Sequence, residues 1–164
     1  MSTAVVALTV FHVAISLVGL SAGFVVLWGF VSGRRLDRWT AVFLSTTALT
    51  SATGFLFPVE KLLPSHVLGV ISLVGLAVTA EARYRRQLSG AWRHVFVIGS
   101  VFSQYLNFFV LVVQSFLKVP ALHALAPTQS ELPFAVTQLA VLAVFVGAGW
   151  LATARFPASA RKPG

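Results

Sequence analysis

The sequence predicts an all-α fold: an integral membrane bundle of five transmembrane helices, with the N-terminus outside and the C-terminus in the cytoplasm. Three observations carry that expectation. Of the 164 residues, 57% are hydrophobic and 10% charged, against roughly 25% charged in an average soluble domain. Five stretches approach the ~20 mostly apolar residues that cross a bilayer, at 4–31, 39–57, 65–82, 94–117 and 133–154. The basic residues, finally, are concentrated in alternate connections between those stretches. The spans leave no room for a soluble domain, so residues 1–164 are expected to form a single helical domain.

The first span carries Thr9, His12, Ser16, Gly19 and Gly23 within a narrow arc, and Gly19 and Gly23 make a G-x-x-x-G step that permits close helix approach. Its N-terminal flank lacks basic residues and its apolar run is too long for a signal peptide, so the span is expected to be retained. The second span places Thr46, Thr50 and Thr53 on one face, flanked by Thr47 and Gly54. The third contains "ISLVGL" (Ile71–Leu76), which also occurs at Ile15–Leu20 in the first. That echo fits either a duplicated helical hairpin or chance among common membrane residues.

The fourth span is the most informative, because "SQYLNFFVLVVQ" (Ser103–Gln114) keeps amides inside an apolar run. Ser100, Ser103, Gln104, Asn107 and Gln114 fall within an arc of about 100° on a helical wheel, with Tyr105 and Phe109 on other faces. Such a stripe is expected to face protein or a wet cavity rather than lipid. The fifth span adds Thr137 and Gln138. It is preceded by the longest outer link, Lys118–Leu132, in which "TQSE" (Thr128–Glu131) has the pattern of a capping box and Ser130 is an alternative N-cap with Pro133 in the first turn.

Charge orients the bundle. Arg34, Arg35 and Arg38 lie between the first two spans, Arg83, Arg85, Arg86 and Arg93 between the third and fourth, and Arg155, Arg161 and Lys162 after the fifth. The opposite connections hold only Lys61 and Lys118, a division of ten against two. Basic short loops stay cytoplasmic. Trp28, Trp39, Trp92 and Trp150 all fall at the same proposed interface, where indole rings favour the headgroup level. The net charge of +8 therefore reads as a topology signal. Anionic lipid on the cytoplasmic side is its natural partner, with the arginines from Arg34 to Arg93 at the headgroups and nucleic acid set aside.

Chemistry is sparse. There is no cysteine, which removes disulfides, thiol nucleophiles, cysteine-bound iron–sulfur clusters and C-x-x-C-H haem attachment. No Asp, Glu, Lys or Arg lies deep in a span, which argues against an ion-coupled pathway and a Ser–His–Asp site. A weak metal set of His66, His123, Glu60 and Glu131 would sit on the outer side but matches no compact ligand spacing. His94 lies at the inner end of the fourth span. His12 and His66 differ in expected depth by roughly 10 Å at 1.5 Å per residue, which disfavours a bis-histidine haem within one subunit.

The segments "YLNFFVLVVQSFLKVPALHALAPTQSE" and "TSATGFLFP" resemble small multi-span proteins of bacterial membranes for which no activity is assigned. The resemblance extends over most of the chain. It implies a membrane location and assigns no site residue.

Two explanations of the polar groups His12, Ser16, Thr50, Gln104, Asn107, Gln114 and Gln138 follow. They fasten helices to one another, or they line a small pocket opening outward. The first suits a non-enzymatic accessory or binding subunit of a bacterial inner membrane, without a cofactor, that associates with a membrane-protein partner or with its own copies. The second suits a redox component that holds quinone or haem near His12. A transporter or channel would need several copies.

Overall fold

A computed structural model describes residues 2–57 and 64–157. Among these residues the chain is helical, without strands. The elements are α1 (Thr3–Val31), α2 (Asp37–Gly54), α3 (Pro64–Ala80) continued by a π-helical turn (Glu81–Arg85), α4 (Trp92–Lys118), α5 (Pro120–Leu125) and α6 (Leu132–Arg155). Helices occupy all five expected stretches. Four segments, Thr3–Val31, Ser65–Arg85, Trp92–Lys118 and Leu132–Arg155, are long and apolar enough to cross a membrane, which marks a membrane-embedded protein. The remaining helix, α2, contains Asp37, Arg38 and seven Ser or Thr residues, which lower its hydropathy.

Local chemistry sets the ends. Ser2 caps α1 by accepting the Val5 N–H, and Gly33 closes it in a left-handed conformation that lets the Arg34 N–H reach the Gly29 carbonyl. The α2 helix packs between α1 and α3, while α4 contacts α1, α3, α5 and α6 and reaches α2 through a side-chain hydrogen bond. α4 is therefore the hub. Within its most apolar stretch 44% of residues are buried, against 11% for α6, which lies at the periphery.

At one end of the bundle Phe30, Phe43, Phe96 and Phe156 are buried together, with Phe30 and Phe156 ring centroids 4.8 Å apart. At the other end a smaller cluster joins Val112 and Phe116 of α4 to Ala126, with Leu122 and Phe134 alongside. That second cluster depends on α5, which lies inside the stretch expected to be a simple connection. Pro120 begins it, where the missing N–H and fixed φ suit a first helical turn.

The capping box forms only in part. α6 starts at Leu132, with Glu131 itself as N-cap and no side-chain cap bond. The Glu131 carboxylate instead accepts from the Thr128 N–H at 3.1 Å, the Thr128 hydroxyl at 2.9 Å and the Ser130 N–H at 3.1 Å. Gln129, at φ 60°, donates its amide to the Val113 carbonyl and ties this turn to α4. Neither Thr128 nor Ser130 is the N-cap, because the carboxylate spends its acceptors on the preceding turn.

Partial desolvation raises the Glu131 pKa, but the hydrogen bonds from Thr128 and the neighbouring backbone outweigh it and leave the carboxyl below its ordinary value. A depressed folded pKa contributes order above the unfolded value and loses it as pH falls through the folded one. Amide exchange at Thr128 and Ser130 is accordingly expected to be slow at neutral pH and to lose protection below the ordinary carboxylate range of about pH 4. Glu131→Gln should show weak protection at every pH.

Candidate functional site

Of the polar residues singled out by the sequence, His12, Ser16, Thr50, Gln104, Asn107 and Gln138 fasten helix to helix, whereas the buried Ser100 and Ser103 hydroxyls have no hydrogen-bond partner among the described residues. Between α1 and the antiparallel α2 the fastenings come in register. The imidazole Nδ1 of His12 lies 2.8 Å from Thr53 Oγ1. Thr53 donates its own hydroxyl proton to the Leu49 carbonyl at 2.8 Å, so His12 Nδ1–H is the donor and Nε2 keeps its lone pair. One turn on, Ser16 donates to the His12 carbonyl at 2.6 Å and its hydroxyl lies 3.3 Å from that of Thr50. A further turn on, Gly19 faces Thr46 and Thr47; a Cβ there would lie 3.0 Å from the Thr46 hydroxyl. Gln114 and Gln138, grouped with His12 by the sequence, are not its partners, because the imidazole turns toward α2.

Helix α4 enters this seam from the side. Asn107 donates to Thr47 Oγ1 at 3.1 Å, and Gln104, fully buried, donates from Nε2 to the Leu20 carbonyl of α1 at 2.9 Å. The Gln104 amide lies in the notch left by Gly23, where a Cβ would overlap it. Its Oε1 makes no conventional hydrogen bond. The two glycines of the G-x-x-x-G step thus serve different neighbours, Gly19 receiving α2 and Gly23 receiving α4.

Other pairs are fastened similarly. Ser51 of α2 donates to the buried Ser72 of α3 at 3.0 Å, Thr79 of α3 lies over Gly99 of α4, and Gln138 of α6 donates to the Phe109 carbonyl of α4 at 3.3 Å. Both serines of the repeated hexapeptide converge on successive α2 residues, Ser16 on Thr50 and Ser72 on Ser51. Gln114 departs from the expectation. It is exposed on the bundle surface, because α4 has turned its C-terminal portion toward α5 and α6. The space beside Gln104, lined by Gly23, Phe30, Phe43 and Ser100, is too narrow for a water molecule. The deep polar groups therefore meet one another across helix contacts and do not surround a cavity there.

The outer metal candidates separate. His66 packs against Phe55 at 5.5 Å between ring centroids, His123 is exposed on α5, and Glu131 is taken up by the Thr128 turn; Glu60 lies outside the described residues. Among the described residues no three His, Asp or Glu side chains gather in a metal-binding arrangement.

The described arginines share one end of the bundle but divide in role. The π-helical turn directs Arg83 inward, where it pairs with Asp37 at the start of α2 and lies over the Phe96 ring at 5.4 Å; its side chain is only 10% exposed. Arg93 donates to the Phe156 and Thr153 carbonyls at the end of α6, and Arg155 to the Val31 carbonyl at the end of α1, where a cation offsets the helix dipole. Arg83, expected at a headgroup, is thus bound within the protein, whereas Arg93, also expected there, holds the end of α6 and stays partly exposed. Arg34, Arg35, Arg38, Arg85 and Arg86 remain exposed, with Arg34 over Trp28 and Arg86 over Trp92. Glu81 accepts from both Arg85 and Arg86.

No protein-family model matches the chain, and no curated protein or solved structure matches it either. The geometry above defines its class, a membrane-embedded helical protein in which His12, Gln104, Asn107 and Gln138 each bond to a neighbouring helix.

If these are fastenings, their energies are small and local. A double-mutant cycle pairing Asn107→Leu with Thr47→Val should give a coupling of about 0.6 kcal/mol, the average for hydrogen bonds between membrane helices. His12→Gln keeps a donor toward Thr53 and should unfold within ~1 kcal/mol of the parent in detergent, whereas His12→Leu, which leaves Thr53 without its donor, should cost about 1–3 kcal/mol.

Proposed function

We propose that the protein is a five-span inner-membrane protein of a bacterium that works as a non-enzymatic accessory or binding subunit. The observation that carries this reading is the engagement of its deep polar side chains. His12, Ser16, Gln104, Asn107 and Gln138 all bond to a neighbouring helix or to their own backbone, which leaves the surface as the working part. Much of that surface belongs to α6, where Leu139, Val144 and Trp150 are exposed. It suits contact with lipid, with a membrane-protein partner or with a second copy.

The fifth span in this reading is α2. At 1.5 Å per residue it is ~27 Å long, close to the ~30 Å hydrocarbon core. Its hydroxyls are satisfied at home: Thr40, Ser45, Thr46 and Thr53 donate to carbonyls three or four residues back. Packing between α1 and α3 supports the same placement. The ten-to-two division of basic residues and the four tryptophans support a cytoplasmic basic end, hence an outside N-terminus.

One observation favours the second reading, a redox component. His12 Nδ1–H is held by Thr53, so Nε2 keeps the lone pair that a haem iron or a quinone hydroxyl would use. A visible spectrum of the protein purified in mild detergent separates the two. The accessory reading predicts no Soret band and no extractable quinone; a band that disappears in folded His12→Gln would replace it with the redox reading.

Topology is checked by thiol labelling of intact cells. A cysteine introduced at Ser32 or Ser89, both exposed at the basic end, is expected to resist an impermeant reagent until the membrane is opened. One at Thr128 is expected to react at once; Ala126 in the same connection is fully buried and would be a poor reporter. The opposite labelling pattern would invert the orientation.

A further inference from the structure

Beside the hub, α4 and α6 leave a groove of about 330 Å³ on the outer surface of the bundle. Ile98, Phe102 and Tyr105 form one wall and Leu142, Val146 and Trp150 the other. Several of these apolar side chains are well exposed, Ile98 at 57% and Trp150 at 74%. The α4 wall follows the spacing i, i+4, i+7 from Ile98, and one turn earlier on that face stands His94. On the other wall the groove ends at Thr153, whose carbonyl accepts from Arg93. An apolar channel therefore opens, at the basic end, onto Arg93 and His94.

We propose that this groove is a binding site for one anionic phospholipid, its acyl chain between α4 and α6 and its phosphodiester at Arg93 and His94. The inference rests on the membrane reading above and adds a site to it. Charge complementarity selects the occupant. At this end the two described acids are committed elsewhere, Asp37 to Arg83 and Glu81 to Arg85 and Arg86. Among the described residues Arg93 bonds only to carbonyls and to the His94 ring, and no carboxylate there offsets its charge. Arginine can only donate, so in the 2.8 Å contact from Arg93 Nη2 the acceptor is His94 Nε2. The proton on that imidazole is then on Nδ1, a second donor beside the guanidinium. A phosphodiester has the acceptors and the charge that this pair lacks. Trp150, at the rim, has the amphipathic ring that favours this depth.

The test uses a protein in which Trp150 is the single tryptophan, Trp28, Trp39 and Trp92 having been changed to Phe. It is reconstituted in phosphatidylcholine vesicles containing the same mole fraction of either chain-brominated phosphatidylglycerol or chain-brominated phosphatidylcholine. The site predicts that the anionic lipid quenches Trp150 several-fold more strongly. At about 1 kcal/mol per basic contact, Arg93→Gln should lower that preference about fivefold. Because Arg93 also holds the end of α6, the exposed His94→Ala serves as a second variant and should lower it too. Gly149→Leu, which fills the groove and leaves the charges intact, should reduce quenching by both lipids. Equal quenching by the two lipids in the parent would overturn the proposal. So would a Trp150 that no lipid reaches, with protection growing as protein density rises, since a second copy would then fill the groove. A companion protein retaining only Trp28 monitors insertion: if neither tryptophan is quenched, the membrane reading itself falls, and the site with it.

Discussion

The bundle depends on one contact, the Gln104 amide of α4 seated in the Gly23 notch of α1. A primary amide moved from water into an apolar interior without partners costs several kcal/mol. Here the Nε2 donor reaches the Leu20 carbonyl at 2.9 Å, which requires α1 and α4 to approach closely. Only a residue without a Cβ permits that approach at position 23. The contact also fixes rotation. With Gln104 turned to α1, Asn107 is directed at Thr47 of α2, and Ser100 and Ser103 are buried in the centre. The remaining faces of α4 are then left for Thr79 of α3 and Gln138 of α6.

This arrangement explains how α2 is accommodated. Its hydroxyl residues lower its hydropathy, and in an isolated helix each would expose a polar atom. In the bundle they bond backward along their own helix or across to His12, Ser16, Ser72 and Asn107. The polar seam of α1 and the threonine face of α2 are complementary and antiparallel, so neither presents its polar edge outward. What remains for the surrounding membrane is the apolar outside, together with a ring of arginines and tryptophans at one end.

Much of this was legible in the sequence. Long apolar stretches bounded by arginine or proline located five helices to within a few residues, because hydropathy acts over a whole span. Helical periodicity also grouped Gln104 and Asn107 on one face, and placed Gly19 and Gly23 beside His12 and Ser16. Four features were not legible, each for a local reason. The α5 helix has six residues, too few for a periodic signal, and its Pro120 reads as part of a connection. Gln114 shares the angular stripe of Gln104, but periodicity cannot tell that α5 and α6 take over the packing at that level. The inward turn of Arg83 depends on a π-helical turn, which shifts the phase on which an angular argument rests. The pairing of His12 with Thr53 depends on the register of α1 against α2, which helical periodicity does not carry.

The central claim, that Gly23 exists to receive Gln104, is tested most directly by combining Gly23→Ala with Gln104→Ala and measuring unfolding in mixed micelles. Gly23→Ala alone should destabilise by about 1–3 kcal/mol through overpacking. In the Gln104→Ala background, where the amide is gone, the same methyl group should cost close to nothing, so the two changes should be strongly non-additive. Equal costs of Gly23→Ala in both backgrounds would contradict the account and leave α4 without its fixed rotation against α1.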